Sequence, residues 1–381
     1  MEVDLPNGFP PIFLEFLQLN GISLEEYMYP PLPRFIRIKN PSLDVIERIE
    51  SELKVTLEPL SWCPDFYMID GSIKIGNSES FRSGQIYGMD VTSGIAVLAL
   101  DLQPNDQVLD ICCAPGTKLC YISDILGPNG NGTVTGVDVS EHRLSTCKSV
   151  MQKYKHNRIR LFCCDGTTFD VRPPTRIGSN ILVVPETKRK RDDIACKETI
   201  DKLSDDSLIY NIDTSLNFMK PFHAPKLLRP DPQLKPLYHL YSKVLVDAEC
   251  THDGSVAHME KYHVNGWQNF EEQFMNRDRL STLETLQRAL LVNGFRLLKP
   301  GGILVYSTCS FSRRQNEDII AWFLLNNCNA TLEPVPNASN YPLAPSLAHL
   351  YPSLNISHVL RFSPVHSNTS GLFIARIRKS K

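Results

Sequence analysis

The chain has no apolar run approaching the roughly 18 residues that a membrane-spanning helix needs, so no membrane span is expected. It also lacks an excess of charge of either sign. Forty Lys+Arg stand against 42 Asp+Glu, so any nucleic-acid surface must be a local patch rather than the whole molecule. Neither G-x-G-x-x-G nor G-x-x-x-x-G-K-[ST] occurs, which removes the two glycine loops that cradle a pyrophosphate or a triphosphate. No C-x-x-C pair occurs among the 11 cysteines. The adjacent pairs Cys112–Cys113 and Cys163–Cys164 lie in strand-like runs where neighbouring side chains alternate faces, so no metal site is expected. The N-terminus MEVDLPNGFPPIFLEF shows no basic, apolar and small-residue regions of a secretory signal. An odd cysteine count adds to the expectation of a reduced intracellular compartment, nucleus or cytoplasm, with free thiols.

What the chain does have, from Val108 onward, is an alternation of short β-rich runs and helical patterns. The runs are VLDICCA, TVTGVDV, IRLFCCD, KVLVDAEC, GILVYSTC and GLFIARIRK; helical spacing recurs over Leu119–Leu126, Glu141–Tyr154, Arg277–Leu298 and Asn316–Leu325. This predicts a mainly parallel α/β sheet covered on both faces, of the Rossmann-like type, with ligands beyond the carboxyl ends of its strands. Residues 1–90 read as a separate small α+β subdomain, holding IFLEFLQLNG, the proline-rich YPPLPRFIRIKN and the capped helix pattern NPSLDVIERIESELK. Residues 91–381 read as the main domain, with an insertion over 171–240 that has little periodicity.

DICCAPGTK ends an apolar run in Asp110 and then turns through Ala-Pro-Gly into a helix. Glycine lets backbone approach a ligand, and the first turn of a helix offers free N–H groups there. The next run ends in Asp138, placed like the acidic residue that holds ribose hydroxyls in nucleotide-binding α/β folds, and the third reaches Asp165. One such Asp is as readily a helix cap or turn former. Three in register beside a Pro-Gly turn point to a nucleoside cofactor, and without a phosphate loop S-adenosylmethionine fits better than NAD or ATP. Two further cysteines, Cys250 and Cys309, end separate strands on the same rim, where a cationic cofactor favours a thiolate.

DICCAPGTK, GVDVSEHRL, CDGTTF, DAEC and YSTCSFSRRQNED together resemble the Sun/Fmu-type family of RNA cytosine-C5 methyltransferases. The resemblance is clear from Phe81 to Ala330; it extends more weakly to PRFIRIKN, which resembles the start of the family's N-terminal RNA-binding subdomain, and to GLFIARI. It implies an S-adenosylmethionine-dependent enzyme that forms 5-methylcytosine in RNA, tRNA before rRNA, acting as a monomer. It implies Cys309 as the nucleophile, Cys250 as the thiol that assists release, and Asp247 as the residue on the cytosine edge. The turn Cys113, Ala114, Pro115, Gly116, Thr117 and Lys118, with Asp138, Arg143, Asp165 and Asp247, would line the cofactor site. The contrasting expectation is a non-catalytic RNA-binding or assembly protein that kept the fold.

Departures from the family pattern fall on turn and release positions. Glu249 stands where proline precedes the cysteine, Thr251 replaces serine, Thr117 the second turn glycine and Leu119 a threonine. A carboxylate at Glu249 is expected to raise the Cys250 thiol pKa. Basic residues expected to meet RNA are Arg34, Arg37, Lys39 and the run Lys188–Arg191, the last read first as a solvated loop.

Overall fold

The computed structural model describes residues 8–28, 31–174, 176–178, 180–181, 219–228, 239–256, 259, 267 and 277–381. Lys188–Arg191 therefore lie outside the described residues. After a first helix, Pro11–Asn20 (α1), a four-stranded antiparallel sheet forms from Arg34–Ile38 (β1), Glu58–Leu60 (β2), Cys63–Ile69 (β3) and Ile86–Gly88 (β4), in the order β2-β3-β1-β4. Leu43–Leu53 (α2) starts where the Ser42 side chain accepts a bond from the Val45 amide, and it covers one face of the sheet with Ile49 against Ile36, Ile38 and Tyr67. The short helix Glu79–Arg82 (α3) leads into β4, and Val91–Leu98 (α4) follows it.

The large sheet takes its strands from Gln107–Asp110 (β5), Thr133–Asp138 (β6), Ile159–Cys163 (β7), Tyr241–Asp247 (β10), Leu298–Thr308 (β11), Ala330–Glu333 (β12), Leu360–Phe362 (β13) and Leu372–Lys379 (β14). A two-stranded hairpin, Arg176–Ile177 (β8) with Asn180–Ile181 (β9), lies outside it. The order is β12-β14-β11-β10-β5-β6-β7, with β13 also on β14. The five strands from β11 to β7 run parallel; β14 runs antiparallel to its three partners β11, β12 and β13. Thr117–Leu126 (α5), Glu141–Lys153 (α6), Arg277–Leu297 (α7) and Glu317–Asn326 (α8) connect the strands. They bury Leu119, Cys120 and Leu144 on one face and Leu290, Leu291 and Phe295 on the other. This is the expected Rossmann-like sheet; among the described residues no helix is long and apolar enough to cross a membrane.

The chain runs outward from β5 to β7 and then returns to place β10 on the other side of β5. The carboxyl ends of β5 and β10 therefore form the switch point where ligands of such sheets bind. Asp110 and Asp247 end those two strands.

One expectation is corrected here. Arg37 is only 5% exposed and is not available to a phosphate. Its guanidinium lies 4.2 Å from the ring centroids of both Tyr87 and Tyr121 and pairs with Asp124 on α5. Lys39 reaches the same carboxylate at 2.9 Å and donates to the Tyr154 carbonyl at 3.2 Å. Of the basic residues expected on β1, only Arg34 is exposed. The others join the small sheet to the large one.

Candidate active site

Gly116 makes the turn after β5 possible. Its φ of +101° is a conformation side chains rarely adopt, and a Cβ there would stand 3.0 Å from the Cys147 backbone on α6. No side chain caps α5, so its first amides open towards the switch point. The turn is held from α6: Arg143 Nη2 donates to the Ala114 carbonyl at 3.1 Å and Nη1 lies 3.4 Å from Asp138. Asp138 Oδ2 accepts the Ala114 amide at 3.3 Å while Oδ1 accepts the Ser140 amide at 3.0 Å. Asp138 is thus a turn former as well as a rim carboxylate. Asp165 Oδ1 accepts the Thr167 amide at 2.8 Å and its hydroxyl at 2.7 Å.

A cavity of about 530 Å³ opens at these strand ends, within the range of small-ligand sites. Ala114, Pro115, Lys118, Asp138, Arg143, Asp165, Asp247 and Cys309 line it, as does Cys112. Cys113, Gly116 and Thr117 instead line a smaller recess of about 180 Å³ behind the turn, and the Cys113 side chain is buried in the core. Ile111, Leu286 and Leu290 give the main cavity apolar walls, and Val139, 72% exposed, stands on its rim. A planar base fits between such surfaces.

At the centre, Lys118 donates to Asp247 Oδ2 at 2.7 Å and the Ser307 hydroxyl donates to Oδ1 at 2.6 Å. Burial works against the Lys118 charge, but Asp247 and Asp110 outweigh it and raise its pKa. Asp110 is buried; its Oδ1 accepts the Cys112 amide at 3.3 Å, and its Oδ2 has no hydrogen-bond partner. Burial first, then Asp247, pushes its carboxyl up to about 8. An orphaned buried carboxyl oxygen beside a recess suits a ligand with a cationic centre. With the rim carboxylates Asp138 and Asp165 on the same cavity, the donor set fits S-adenosylmethionine, which carries an ammonium, a sulfonium, a ribose diol and an adenine.

The two strand-end thiols meet: Cys250 Sγ lies 3.4 Å from Cys309 Sγ. They come from β10 and β11, whose parallel pairing sets Asp247 opposite Ser307. The Cys250 amide segment is anchored beneath the Cys309 loop. Gly254 donates to the Cys309 carbonyl at 2.9 Å, and a Cβ on Gly254 would come within 2.7 Å of that oxygen. The carboxylate of Glu249 pairs with Arg279 on α7.

Sequence reasoning missed His252. Its Nδ1 is 3.0 Å from Cys309 Sγ and 3.8 Å from Cys250 Sγ. Its backbone is left-handed, with φ +56°. The signal was there as T-H-D-G directly after Cys250, but a histidine two residues from a cysteine carries no mark of the third partner on another strand. Among the described residues, Cys250, His252 and Cys309 are also the group that could hold a metal ion.

A family model described as 16S rRNA methyltransferase RsmB/F matches residues 97–199 and 225–378. Ribosomal RNA small subunit methyltransferase F of Serratia proteamaculans is 21% identical over 388 residues, covering 97% of this chain and 63% of the relative. The chain thus spans less than two thirds of the length of that relative. A tRNA (cytosine(49)-C(5))-methyltransferase of Pyrococcus abyssi is 24% identical over 361 residues, covering 93% of this chain and 91% of the relative. Two solved structures share the fold. A methyltransferase homolog protein from Pyrococcus horikoshii gives a TM-score of 0.63 at 23% identity, covering 97% of this chain and 100% of that one. NSun6 from Pyrococcus horikoshii, solved with SFG, gives 0.64 at 15% identity, covering 98% and 99%. The matched segments take up more than half of the sequence and include both strand-end cysteines, so the chain belongs to the RsmB/F family of 16S rRNA methyltransferases, the Sun/Fmu group that its motifs resemble.

Proposed function

We propose that this protein methylates C5 of a cytosine in RNA, with S-adenosylmethionine as methyl donor. The observation that carries this reading is the meeting of Cys309, on the wall of the cavity that the Pro115 turn also lines, with the buried Cys250 at 3.4 Å behind it. Asp110, Asp138, Asp165 and the turn from Cys113 to Lys118 would hold S-adenosylmethionine, which supplies a methyl group to a nucleophile poised beside it. Arg143 keeps the turn in place.

Cytosine C5 is a poor nucleophile. A thiolate at Cys309 adds to C6, and the electron pair of the C5–C6 bond becomes available at C5. Asp247, fixed by Lys118 and Ser307, faces the N3 and amino edge of the base, and Lys118 offsets negative charge developing there. Once C5 carries the methyl group, Cys250 as its thiolate takes the C5 proton, the C5–H pair re-forms the C5–C6 double bond, the C6–S bond breaks, and its electron pair returns to Cys309. A paired base cannot reach this centre, so the target lies in a loop or is flipped out of its helix. The RNA is tRNA or rRNA. We place tRNA first because the match spans 91% of the length of the relative named for tRNA.

The test is transfer of tritium from labelled S-adenosylmethionine to total cellular RNA. Wild type transfers label and Cys309→Ala does not; label transfer that survives Cys309→Ala removes Cys309 as nucleophile. RNA binding by the wild type without any label transfer supports instead a non-catalytic RNA-binding protein.

A further inference from the structure

We propose that His252 is a catalytic base that takes the thiol proton of Cys309 and so generates the thiolate that attacks C6. The proposal rests on the methyltransfer reading above and adds a group that the reading does not contain.

Three observations carry it. The first is contact: Nδ1 stands 3.0 Å from the nucleophilic sulfur, and His252 lines the main cavity. The second is the way the loop is fixed. Thr251 and Asp253, on either side, are both fully buried. The Thr251 hydroxyl donates to Asp253 and lies 3.0 Å from the Ser310 hydroxyl; its amide donates to Gln315 Oε1 at 3.1 Å. Asp253 Oδ2 accepts the Phe311 amide at 2.8 Å. His252 is therefore tied on both sides to the segment that carries Cys309. The third is backbone strain. A φ of +56° is a left-handed conformation uncommon for a residue other than glycine, held here by the buried bonds of Thr251 and Asp253.

The titratable groups facing the pair are Cys250, Asp247, Asp253 and Lys118. Burial pushes the imidazole towards neutrality, but Cys309, Asp247 and Asp253 outweigh it and hold its pKa at about 8. Contact with Cys250 and burial hold the Cys309 thiol well above its ordinary pKa, with His252 pulling against them, so the sulfur gives up its proton only to an acceptor in contact with it, and Nδ1 is that acceptor at 3.0 Å. In the step, the S–H bond breaks, the proton moves to Nδ1, and the pair left on sulfur forms the bond to C6.

A zinc site is the rival use of the same three side chains. With zinc–sulfur and zinc–nitrogen bonds of about 2.3 and 2.0 Å, the edges of a tetrahedron would measure roughly 3.5–3.8 Å. The 3.0 Å between Nδ1 and Sγ is shorter than such an edge and matches a hydrogen-bonded pair.

The test measures alkylation of Cys309 by iodoacetamide between pH 5.5 and 9.5, followed by mass spectrometry of the peptide that contains residue 309. It compares the full-length wild type with His252→Asn and His252→Gly, both of which tolerate the left-handed backbone, and checks thermal melting of each. The wild type is expected to react about tenfold or more faster at pH 7 than either variant, with the variant profiles displaced to higher pH. Label transfer to RNA should fall on the order of 10²-fold with KM for RNA unchanged, and recover partly as pH rises. Superimposable alkylation profiles in folded variants overturn the proposal. So does one equivalent of zinc in purified wild type that is lost in the variants. If His252 governs alkylation but wild type never labels RNA, the pair stands and the methyltransfer reading falls.

Discussion

Lys118, in the first turn of α5, and Asp247, the last residue of β10, form an ion pair of 2.7 Å across 129 residues of sequence. The pair closes the switch point of the sheet, joining the turn after β5 to the strand that returns beside it. Asp247→Asn keeps the shape and the Ser307 bond but removes the anion. The N3 and amino edge of the base then loses the carboxylate that orients it, and kcat should fall roughly 10²–10³-fold. The check is steady-state label transfer with thermal melting as a control for folding.

Cys250→Ala should trap the enzyme on its RNA, because the C6–S bond cannot break until the C5 proton is removed. A shifted band on a denaturing gel after incubation with S-adenosylmethionine and RNA is the expected result. Glu249→Gln should leave turnover within about twofold, since the Glu249 carboxylate is already paired with Arg279 on the half-exposed side of the loop. A large rise of trapped adduct in Glu249→Gln would show that Glu249 governs Cys250 after all.

Arg37→Ala should act on stability rather than on RNA affinity. It leaves the Asp124 carboxylate on α5 without its principal partner where that helix packs on the small sheet, a loss of about 3–5 kcal/mol. Urea unfolding at neutral pH reads this directly. Arg34→Ala, at an exposed position on the same strand, should leave the midpoint unchanged within about 0.5 kcal/mol.

His156 gives the fold a pH dependence. Burial first, then Lys39 and Arg37, overcome the pull of Asp124 and hold its pKa at about 4, below the ordinary 6.5. The unfolded chain takes up the proton first, so stability is full above about pH 6.5, falls as pH drops, and levels off near pH 4. The total loss is on the order of 3 kcal/mol. Asp124, whose pKa is lowered because Arg37 and Lys39 outweigh its burial, adds a further loss only below the ordinary carboxylate range. His156→Gln should flatten the unfolding free energy between pH 6.5 and 4. An unchanged slope would place the acid sensitivity elsewhere.

The parallel strands and their helices were legible because each is a run with one period: TVTGVDV became β6 and the Glu141–Tyr154 pattern became α6, one residue shorter. The antiparallel edge was only half legible. GLFIARIRK reads as a strand, but the three- and four-residue segments β12 and β13 that pair with it are too short to show a period. In the site, Cys250, Cys309 and the Pro-Gly turn could be found because each ends an apolar run. His252 and the burial of Arg37 could not, since both depend on partners far away in sequence: Cys309 past the end of β11 in one case, Tyr121 and Asp124 on α5 in the other. A charge on a strand looks the same in sequence whether it meets solvent or a buried carboxylate.

The most direct measurement is bisulfite sequencing of RNA from cells that lack this protein, complemented with the wild type or with Cys309→Ala. The account predicts a cytosine, in a tRNA or an rRNA, that resists conversion with the wild type and converts fully with Cys309→Ala. Protection restored equally by Cys309→Ala, or no protected cytosine that depends on the protein, would contradict it.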